Sequence, residues 1–242
     1  SIRYIHTLED AEERLNNPLG LEWEFIKIEE PSNSKIFNKY KPSCIFNLAA
    51  ETHVDRSIDS PEEFIQSNIV GVFNLLEAIR VYKKKIKLIH VSTDEVYGDI
   101  RKNKKSKELD AYNPSSPYAA SKIAADQLSS SYYKSYGLPV TIIRPFNTFG
   151  PRQSLRAVLP NILFQIANSE EDETVIHLGN IYSRRDFTYV NDVVKVLFLS
   201  EKIKTKSKIF NLSSSRPIKL ISFIEKLKKI YITILSSQAS QN

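Results

Sequence analysis

Short runs rich in β-branched and aromatic residues alternate along the chain with longer stretches whose apolar positions recur every three or four residues. The first kind predicts strands over 23–28, 43–48, 87–91, 140–144 and 208–212, each of strand length and composition. The second kind predicts helices. Over 61–82, Ile65, Ile69, Val72, Leu76 and Ile79 fall on one stripe, with Pro61 acceptable in the first turn. A second helix over 118–136 is entered through Ser115-Ser116-Pro117, a cap followed by a proline at the first helical position. Further helices are expected over 155–168, 190–200 and 221–230. Strands buried on both faces with helices between them make an α/β fold, a doubly wound parallel sheet. Ligands of such sheets sit beyond the carboxyl ends of the strands, which directs attention to the positions just after Leu48, Val91 and Arg144.

Composition narrows the classes. The 242 residues are 41% hydrophobic, enough to fill a sizeable core. The 34 Lys and Arg exceed the 28 Asp and Glu by six, but the excess sits in short runs around Lys83–Lys87, Arg101–Lys105 and Lys202–Lys208. Each is too brief to define a nucleic-acid face, so no nucleic-acid partner is expected. No window reaches the roughly eighteen apolar residues of a membrane span, and the first ten residues are too charged for a signal peptide. A cytoplasmic protein without membrane contact is the expectation. Cys44 is the single cysteine, and His6, His53, His90 and His177 are scattered, so neither a disulfide nor a metal site is expected. His53 and His90 read as structural.

Two motifs carry chemistry. Ser92-Thr93-Asp94-Glu95-Val96-Tyr97-Gly98 follows the strand at 87–91 and brings a hydroxyl and two carboxylates to the expected ligand edge. Ser92-x-x-Glu95 is equally a capping box, and acids in a first helical turn are favoured by the dipole. Tyr118-x-x-x-Lys122 puts a phenol and an ammonium on one helical face, where the cation would favour the phenolate and lower its pKa toward a value useful for proton transfer. A core tyrosine beside a solvated lysine is the plain alternative. Arg56 beside Asp55 reads as a loop-fixing ion pair.

Together these motifs resemble the catalytic group of the extended short-chain dehydrogenase/reductase family, and within it the nucleotide-sugar 4,6-dehydratases. The resemblance rests on residues 47–57, 64–68, 92–98, 116–122, 144–153 and 185–190, including Arg144-Pro145-Phe146-Asn147 and Arg185-Asp186-Phe187-Thr188. Residues 147–160 and Leu178-Gly179-Asn180 look most like the subgroup acting on nucleotide-linked N-acetylglucosamine toward legionaminic-type acids. The resemblance implies a Rossmann-like domain over 1–150 and 182–213 that binds NAD, and part of a small substrate domain over 151–181 and 214–242. It implies a lyase acting on a nucleotide-linked hexose. Tyr118, helped by Thr93 and Lys122, would deprotonate the C4 hydroxyl as hydride passes to NAD; Glu95 would remove the C5 proton, Asp94 would protonate the leaving C6 hydroxyl, and the hydride would return to C6. A 4-epimerase needs neither carboxylate, and the related epimerases usually carry small or uncharged residues there. Leu48, Ala49, Ala50, Ser67, Tyr118 and Lys122 match cofactor contacts. Thr52, Thr93, Asn147, Arg152 and Arg185 match substrate contacts, with Arg185 on the diphosphate and Arg156 a further candidate. The family's usual assembly is a homodimer of paired helices, for which the Ile65/Ile69/Val72 and Leu128/Tyr132 helices are candidates.

One family feature is missing. The six glycines are isolated, so the Gly-x-x-Gly-x-x-Gly turn that cradles the cofactor pyrophosphate is not in these residues, nor is the family's first strand. The chain starts at Ser1, contains no Met, and departs from the family after residue 230. An internal fragment of a longer dehydratase is therefore expected, with a truncated, non-catalytic nucleotide-sugar-binding remnant as the alternative. Intact mass of the protein from its own cell separates them: a mass well above 27.8 kDa is expected, and a mass equal to it would leave the motifs as marks of ancestry.

Overall fold

The computed structural model describes residues 33–82, 84–100, 104–168, 175–203 and 207–239. The strand expected over 23–28 lies outside them. The chain divides into two compact units, one of residues 1–144 and 196–211, the other of 145–195 and 212–242.

The first unit is built on a sheet of β1 (Cys44–Asn47), β2 (Lys87–Val91), β3 (Val140–Pro145) and β7 (Ser207–Leu212), in the order β1-β2-β3-β7. β1 pairs with β2 and β2 with β3 in parallel, with Ile45 opposite Leu88 and His90 opposite Ile142. Alternation along β2 sends Leu88 and His90 to one face and Ile89 to the other, and all three are fully buried. That is the two-sided burial expected of a parallel sheet between helices. On one face, helices α1 (Asn33–Tyr40), α4 (Gly71–Val81) and α5 (Pro117–Tyr136) bring Phe37, Val72, Leu76, Ile79, Ala125 and Tyr132 against Leu88, Val140 and Ile142. On the other runs α7 (Val190–Lys202), which spans both units; its Phe198 ring lies 5.8 Å from that of Phe46. Lys87 Nζ donates to the carbonyls of Ser200, Glu201 and Ile203, satisfying the end of α7 with a cation where the helix dipole favours one.

The stripe predicted over 61–82 is broken. After a short α2 (Val54–Asp59), the place of one α-helix is taken by α3 (Pro61–Phe64), a π-helical turn (Ile65–Val70), and then α4. The wider turn shifts the phase of everything before it. Val72, Leu76 and Ile79 are buried as expected, but Ile65 is 49% exposed, and Phe64, Ser67 and Asn68 face inward instead. Asn68 accounts for the polar choice: its Oδ1 accepts from the Glu51 amide at 2.8 Å, and its Nδ2 donates to the Glu51 carbonyl and to Ser121 Oγ. α5 starts as expected, with Ser116 Oγ accepting from the Ala119 amide at 3.1 Å and Pro117 in the first turn. It ends on Gly137 in the left-handed conformation, φ 69°.

In the second unit, β4 (Thr148–Phe149) pairs in parallel with β6 (Thr188–Tyr189), and β5 (Arg184–Arg185) pairs antiparallel with β8 (Ile218–Lys219). Phe149, Phe187, Tyr189 and Phe223 cluster there, with Phe187 stacked on Phe223 at 5.3 Å. Asp186 Oδ1 accepts from both the amide and the hydroxyl of Ser214. Helices α6 (Val158–Ala167) and α8 (Leu220–Ala239) complete the unit, α8 running on past the end expected for it. Among the described residues no helix is long and apolar enough to cross a membrane.

Two glycines with the same sign of φ differ in the space around them. A Cβ at Gly98 (φ 64°) would lie 1.9 Å from the Asn113 carbonyl oxygen, whereas one at Gly137 would meet nothing within 4 Å. Gly137→Ala is expected to cost about 1 kcal/mol, the left-handed penalty alone. Gly98→Ala is expected to cost more than about 3 kcal/mol because backbone must move as well. Denaturant unfolding of the two variants side by side checks the difference; equal losses would mean that the close approach at Gly98 is relieved at no cost.

Candidate active site

Two of the expected strand ends, those after β1 and β2, lie in the first unit, whereas the residues that follow Arg144 belong to the second. After β2 the chain leaves the sheet at Ser92 and turns into a 3₁₀ helix, Asp94–Tyr97. Its cap is Thr93, whose Oγ1 accepts from the Glu95 amide at 3.3 Å, and not Ser92 as the capping-box reading of the sequence has it. Thr93 stands in extended backbone, so the capping bond is made by a short side chain pointing into its own turn. Val96 and Tyr97 are buried beneath the turn while Asp94 and Glu95 stay partly open.

Helix α5 supplies Tyr118 and Lys122 one turn apart, both buried. The Tyr118 ring packs edge-on against Phe64 at 6.2 Å. Burial pushes its phenol up to about 12; Thr93 pulls it back, and the carboxylates of Glu95, Asp94 and Asp126 push it further. The lowering expected from Lys122 is thus not what governs this phenol. Desolvation and nearby negative charge outweigh it. Helix α5, which carries the phenol, packs against the turn that carries the two carboxylates. Lys122 is 3% exposed and donates to the Val91 carbonyl at 2.8 Å. Burial brings its ammonium down to about 8, with Asp126 opposing the fall.

The β1 end contributes the run Leu48, Ala49, Ala50, of which Leu48 is 59% exposed and Ala49 buried. Ala49 donates its amide to Asn47 Oδ1 at 3.3 Å. Ser67, on the π turn, is buried, and its Oγ has no hydrogen-bond partner among the described residues. Ser67 and Glu51 border an open cleft of about 710 Å³ whose other walls include Asp59, Glu62 and Glu63. Two of these acids, Glu51 and Glu63, are paired with Arg56. Thr52 is exposed beside Glu51 in the chain. Arg56 pairs with Glu51 at 3.3 Å and with Glu63, not with neighbouring Asp55 as its sequence position suggests.

Asn147, Arg152 and Arg185 belong to the second unit. The Asn147 carbonyl accepts from the Thr188 amide at 3.0 Å. Arg152 is exposed with a positive φ of 66°, and Arg185, on β5, is exposed and donates to the Arg184 carbonyl. Arg156 is also exposed. Among the described residues no three His, Cys, Asp or Glu side chains are grouped to hold a metal ion.

Three residues the motifs passed over support the cluster. Asn68 interrupts an apolar stripe; Asp126 extends the four-residue ladder Tyr118, Lys122; and Arg144 is a charge inside a strand that is otherwise Val-Thr-Ile-Ile. A charge at a position the pattern buries was the available signal, since burying one demands a partner. Arg144 is completely buried, its guanidinium clamped on Asp126 Oδ2 by Nε at 3.0 Å and Nη2 at 2.9 Å, with Nη1 donating to Tyr97 OH and Nη2 to Tyr112 OH, each at 2.6 Å.

Sequence and structure comparisons agree with this architecture. The chain matches the GDP-mannose 4,6 dehydratase family over residues 5–242. It is 33% identical over 202 residues to a probable dTDP-glucose 4,6-dehydratase of Sinorhizobium fredii, covering 80% of this chain and 57% of that one. The chain spans little more than half the length of the curated relatives it matches. Among solved structures it resembles a UDP-N-acetylglucosamine 4-epimerase from Methanobrevibacter ruminantium, determined with UDP-N-acetylmuramic acid, at 30% identity and a TM-score of 0.80, covering 90% of this chain and 70% of that one. It also resembles a UDP-glucuronic acid 4-epimerase from Bacillus cereus, determined with UDP-glucuronic acid and NAD, at 26% identity and a TM-score of 0.78, covering 88% and 67%. A Rossmann-like parallel sheet, a Thr-Asp-Glu turn beside a buried Tyr and Lys, and a family match that takes in almost every residue lead to one conclusion: this chain belongs to the GDP-mannose 4,6 dehydratase family.

Proposed function

We propose that the protein is an NAD-dependent nucleotide-sugar 4,6-dehydratase, a lyase that converts a nucleotide-linked hexose to its 4-keto-6-deoxy form. The observation that carries this is the packing of α5, with its buried Tyr118 and Lys122, against the turn that bears Asp94 and Glu95, where both carboxylates oppose ionisation of the phenol. In this reading Tyr118 takes the C4 hydroxyl proton, with the Thr93 hydroxyl beside it and the Lys122 ammonium one turn behind. Oxidation at C4 makes the C5 proton acidic, and Glu95 removes it. Asp94 gives its proton to the departing C6 hydroxyl, which leaves as water. Two carboxylates held by one 3₁₀ turn can take these opposite roles because base and acid act at adjacent carbons.

The residues present fit NAD. Ser67 Oγ is a buried hydroxyl still owed a hydrogen bond among the described residues, and Lys122 retains N–H groups beyond the one given to Val91. With Leu48, Ala49, Ala50 and Tyr118 these would hold the cofactor. When bound, NAD supplies the reversible hydride acceptor that the C4 oxidation and the C6 reduction require. Thr52, Thr93, Asn147, Arg152 and Arg185 are assigned to the nucleotide sugar, and the domain carrying NAD to residues 1–150 and 182–213, with 151–181 and 214–242 toward the substrate. Phe73 and Tyr136 are exposed on the outer faces of α4 and α5 and support a homodimer built from those helices. The protein would work in the cytoplasm, where NAD and nucleotide sugars are found.

The competing reading is a nucleotide-sugar 4-epimerase, favoured by the two structures just described. Product chemistry separates the two. Incubated with NAD and a panel of UDP-, dTDP- and GDP-linked glucose and N-acetylglucosamine, the full-length protein is expected to give a product lighter by one water; an inverted sugar of unchanged mass would mean epimerisation. Glu95→Gln is expected to lower kcat for dehydration by at least about 100-fold, the usual loss for a general base. Undiminished dehydration would remove Glu95 from the role of base.

A further inference from the structure

Behind the cluster lies a buried polar chain that the reaction as described leaves unused. Ala49 donates to Asn47 Oδ1, and Asn47 Nδ2 donates to His90 Nδ1 at 3.1 Å. An acceptor at Nδ1 fixes the neutral tautomer of His90 with its proton on Nε2, and Nε2 faces Asp126 Oδ1 at 3.8 Å. The other oxygen of Asp126 takes the Arg144 fork, Arg144 donates to Tyr97 OH, and Tyr97 OH donates to Asn211 Oδ1 at 2.8 Å. Hydrogen bonds thus join β1 to β2, and α5 through β3 to the 3₁₀ turn, with the His90–Asp126 approach between the two stretches. The ends of this polar chain are the loop after β1 and the turn that bears Asp94 and Glu95. Asp126 lies at its middle, one helical turn beyond Lys122 and on the same face.

Arg144 satisfies one Asp126 oxygen twice over, while the second oxygen lies 3.8 Å from His90 Nε2 and has no hydrogen-bond partner among the described residues. We propose that Asp126, held in place by Arg144, is a positioning residue of this site: it keeps the Lys122 side chain charged and seated, and through Arg144 and Tyr97 it fixes the Asp94–Tyr97 turn relative to it. The proposal rests on the dehydratase reading for its purpose, though not for its first test.

The charged groups around Lys122 are Asp126 and Tyr118 on its own helix, His90 on β2, Arg144 on β3, and Asp94 and Glu95 in the turn. Desolvation lowers the ammonium, Asp126 is the group opposing it, and His90 is held neutral by its burial and by Lys122. Burial also pushes the Asp126 carboxyl up, against which Arg144, Ser92 and Lys122 pull it back. Removing the negative charge thus makes Lys122 lose its proton at lower pH, and a step that needs the ammonium loses its alkaline side first.

The first experiment reads the lysine directly. The Lys122 Nζ titration is followed by NMR in uniformly labelled full-length protein, with Lys122→Gln identifying the resonance. In Asp126→Asn, which keeps size and shape, the midpoint is expected to fall from about 8 by at least about one pH unit, the low end of what an opposite charge nearby does. An unmoved midpoint in a folded variant overturns the proposal. Should Asp126→Asn fail to fold because Arg144 is left unpaired, the double variant Asp126→Leu with Arg144→Met removes both charges together, and a smaller fall is expected because loss of the Arg144 cation offsets part of it; an unmoved midpoint there overturns the proposal as well. The second readout is turnover: the alkaline limb of kcat is expected to move down in pH by the same amount in Asp126→Asn with KM for the nucleotide sugar within about twofold, and Asp126→Glu is expected to restore most of the limb. A shifted Lys122 midpoint in a protein that dehydrates no nucleotide sugar would sink the dehydratase reading and leave the positioning role standing. A fixed midpoint with intact dehydration would do the reverse.

Discussion

An ammonium buried at the end of a parallel sheet is the constraint from which the rest of this site follows. Taking a lysine out of water costs several kcal/mol unless hydrogen bonds and an opposite charge replace the solvent. Lys122 receives the Val91 carbonyl from the strand in front of it and the field of Asp126 from its own helix. Asp126 is then itself a buried charge, and Arg144 answers it with a two-pronged contact from β3. Arg144 in turn needs acceptors for its remaining N–H groups and finds them on Tyr97, Tyr112 and the Glu108 carbonyl. These partners come from α5, β2, β3, the 3₁₀ turn and the loop before α5. Satisfying one cation therefore locks a helix, two strands, a turn and a loop into a single arrangement, and a side chain that moved would leave an unpaired charge behind it.

The π turn before α4 answers a similar demand by backbone geometry. A regular helix through Ile65 to Val70 would put Ile65 on the stripe of Val72, Leu76 and Ile79. The wide turn rotates Ile65 outward and Phe64 inward, with Asn68 buried so that its one amide group closes both backbone groups of Glu51 and reaches Ser121 on α5. The loop after β1 is thereby tied to the helix that carries Tyr118. A wide turn sacrifices regular hydrogen bonding and apolar burial, and such turns concentrate where a side chain must be aimed.

Periodicity made most of the first unit legible. The strand runs at 43–48, 87–91, 140–144 and 208–212 and the helix over 118–136 with its Ser116 cap stand within a residue or two of where pattern and propensity put them. The phase of 61–82 was not legible, because a π turn inserts an offset that no apolar stripe announces and the reason for it, Asn68, acts on a residue 17 positions away. The capping role passed from Ser92 to Thr93 for a related reason: both spacings are compatible with a cap, and only the exit angle of β2 decides between them. Arg56 likewise had three acids within reach of its loop, and the turn between α2 and α3 selected Glu51 and Glu63. Of the candidate site, the reacting groups could be read from motif spacing, whereas their buried supports could be read only as anomalies, charges written into positions that pattern assigns to the core.

Electrostatics within the cluster also bears on which reaction it is suited to. Asp94 and Glu95 both oppose ionisation of Tyr118, adding to the larger effect of desolvation, and the phenol is held up to about 12. If the only task were to take a proton from a C4 hydroxyl and later return it, two carboxylates at that point would hinder the work, since they disfavour the phenolate and offer nothing in exchange. Neutral residues would serve better. On the proposed reading the two carboxylates have work to do, because the oxidised sugar has a second proton to lose and a hydroxyl to expel, which a carboxylate base and a carboxylic acid can serve. Thr93 offsets part of the penalty that they impose on the phenol. On the proposed reading, then, the strain between Tyr118 and its two neighbours is the chemical signature of dehydration, and a site relieved of it by neutral substitutions would be better arranged for epimerisation.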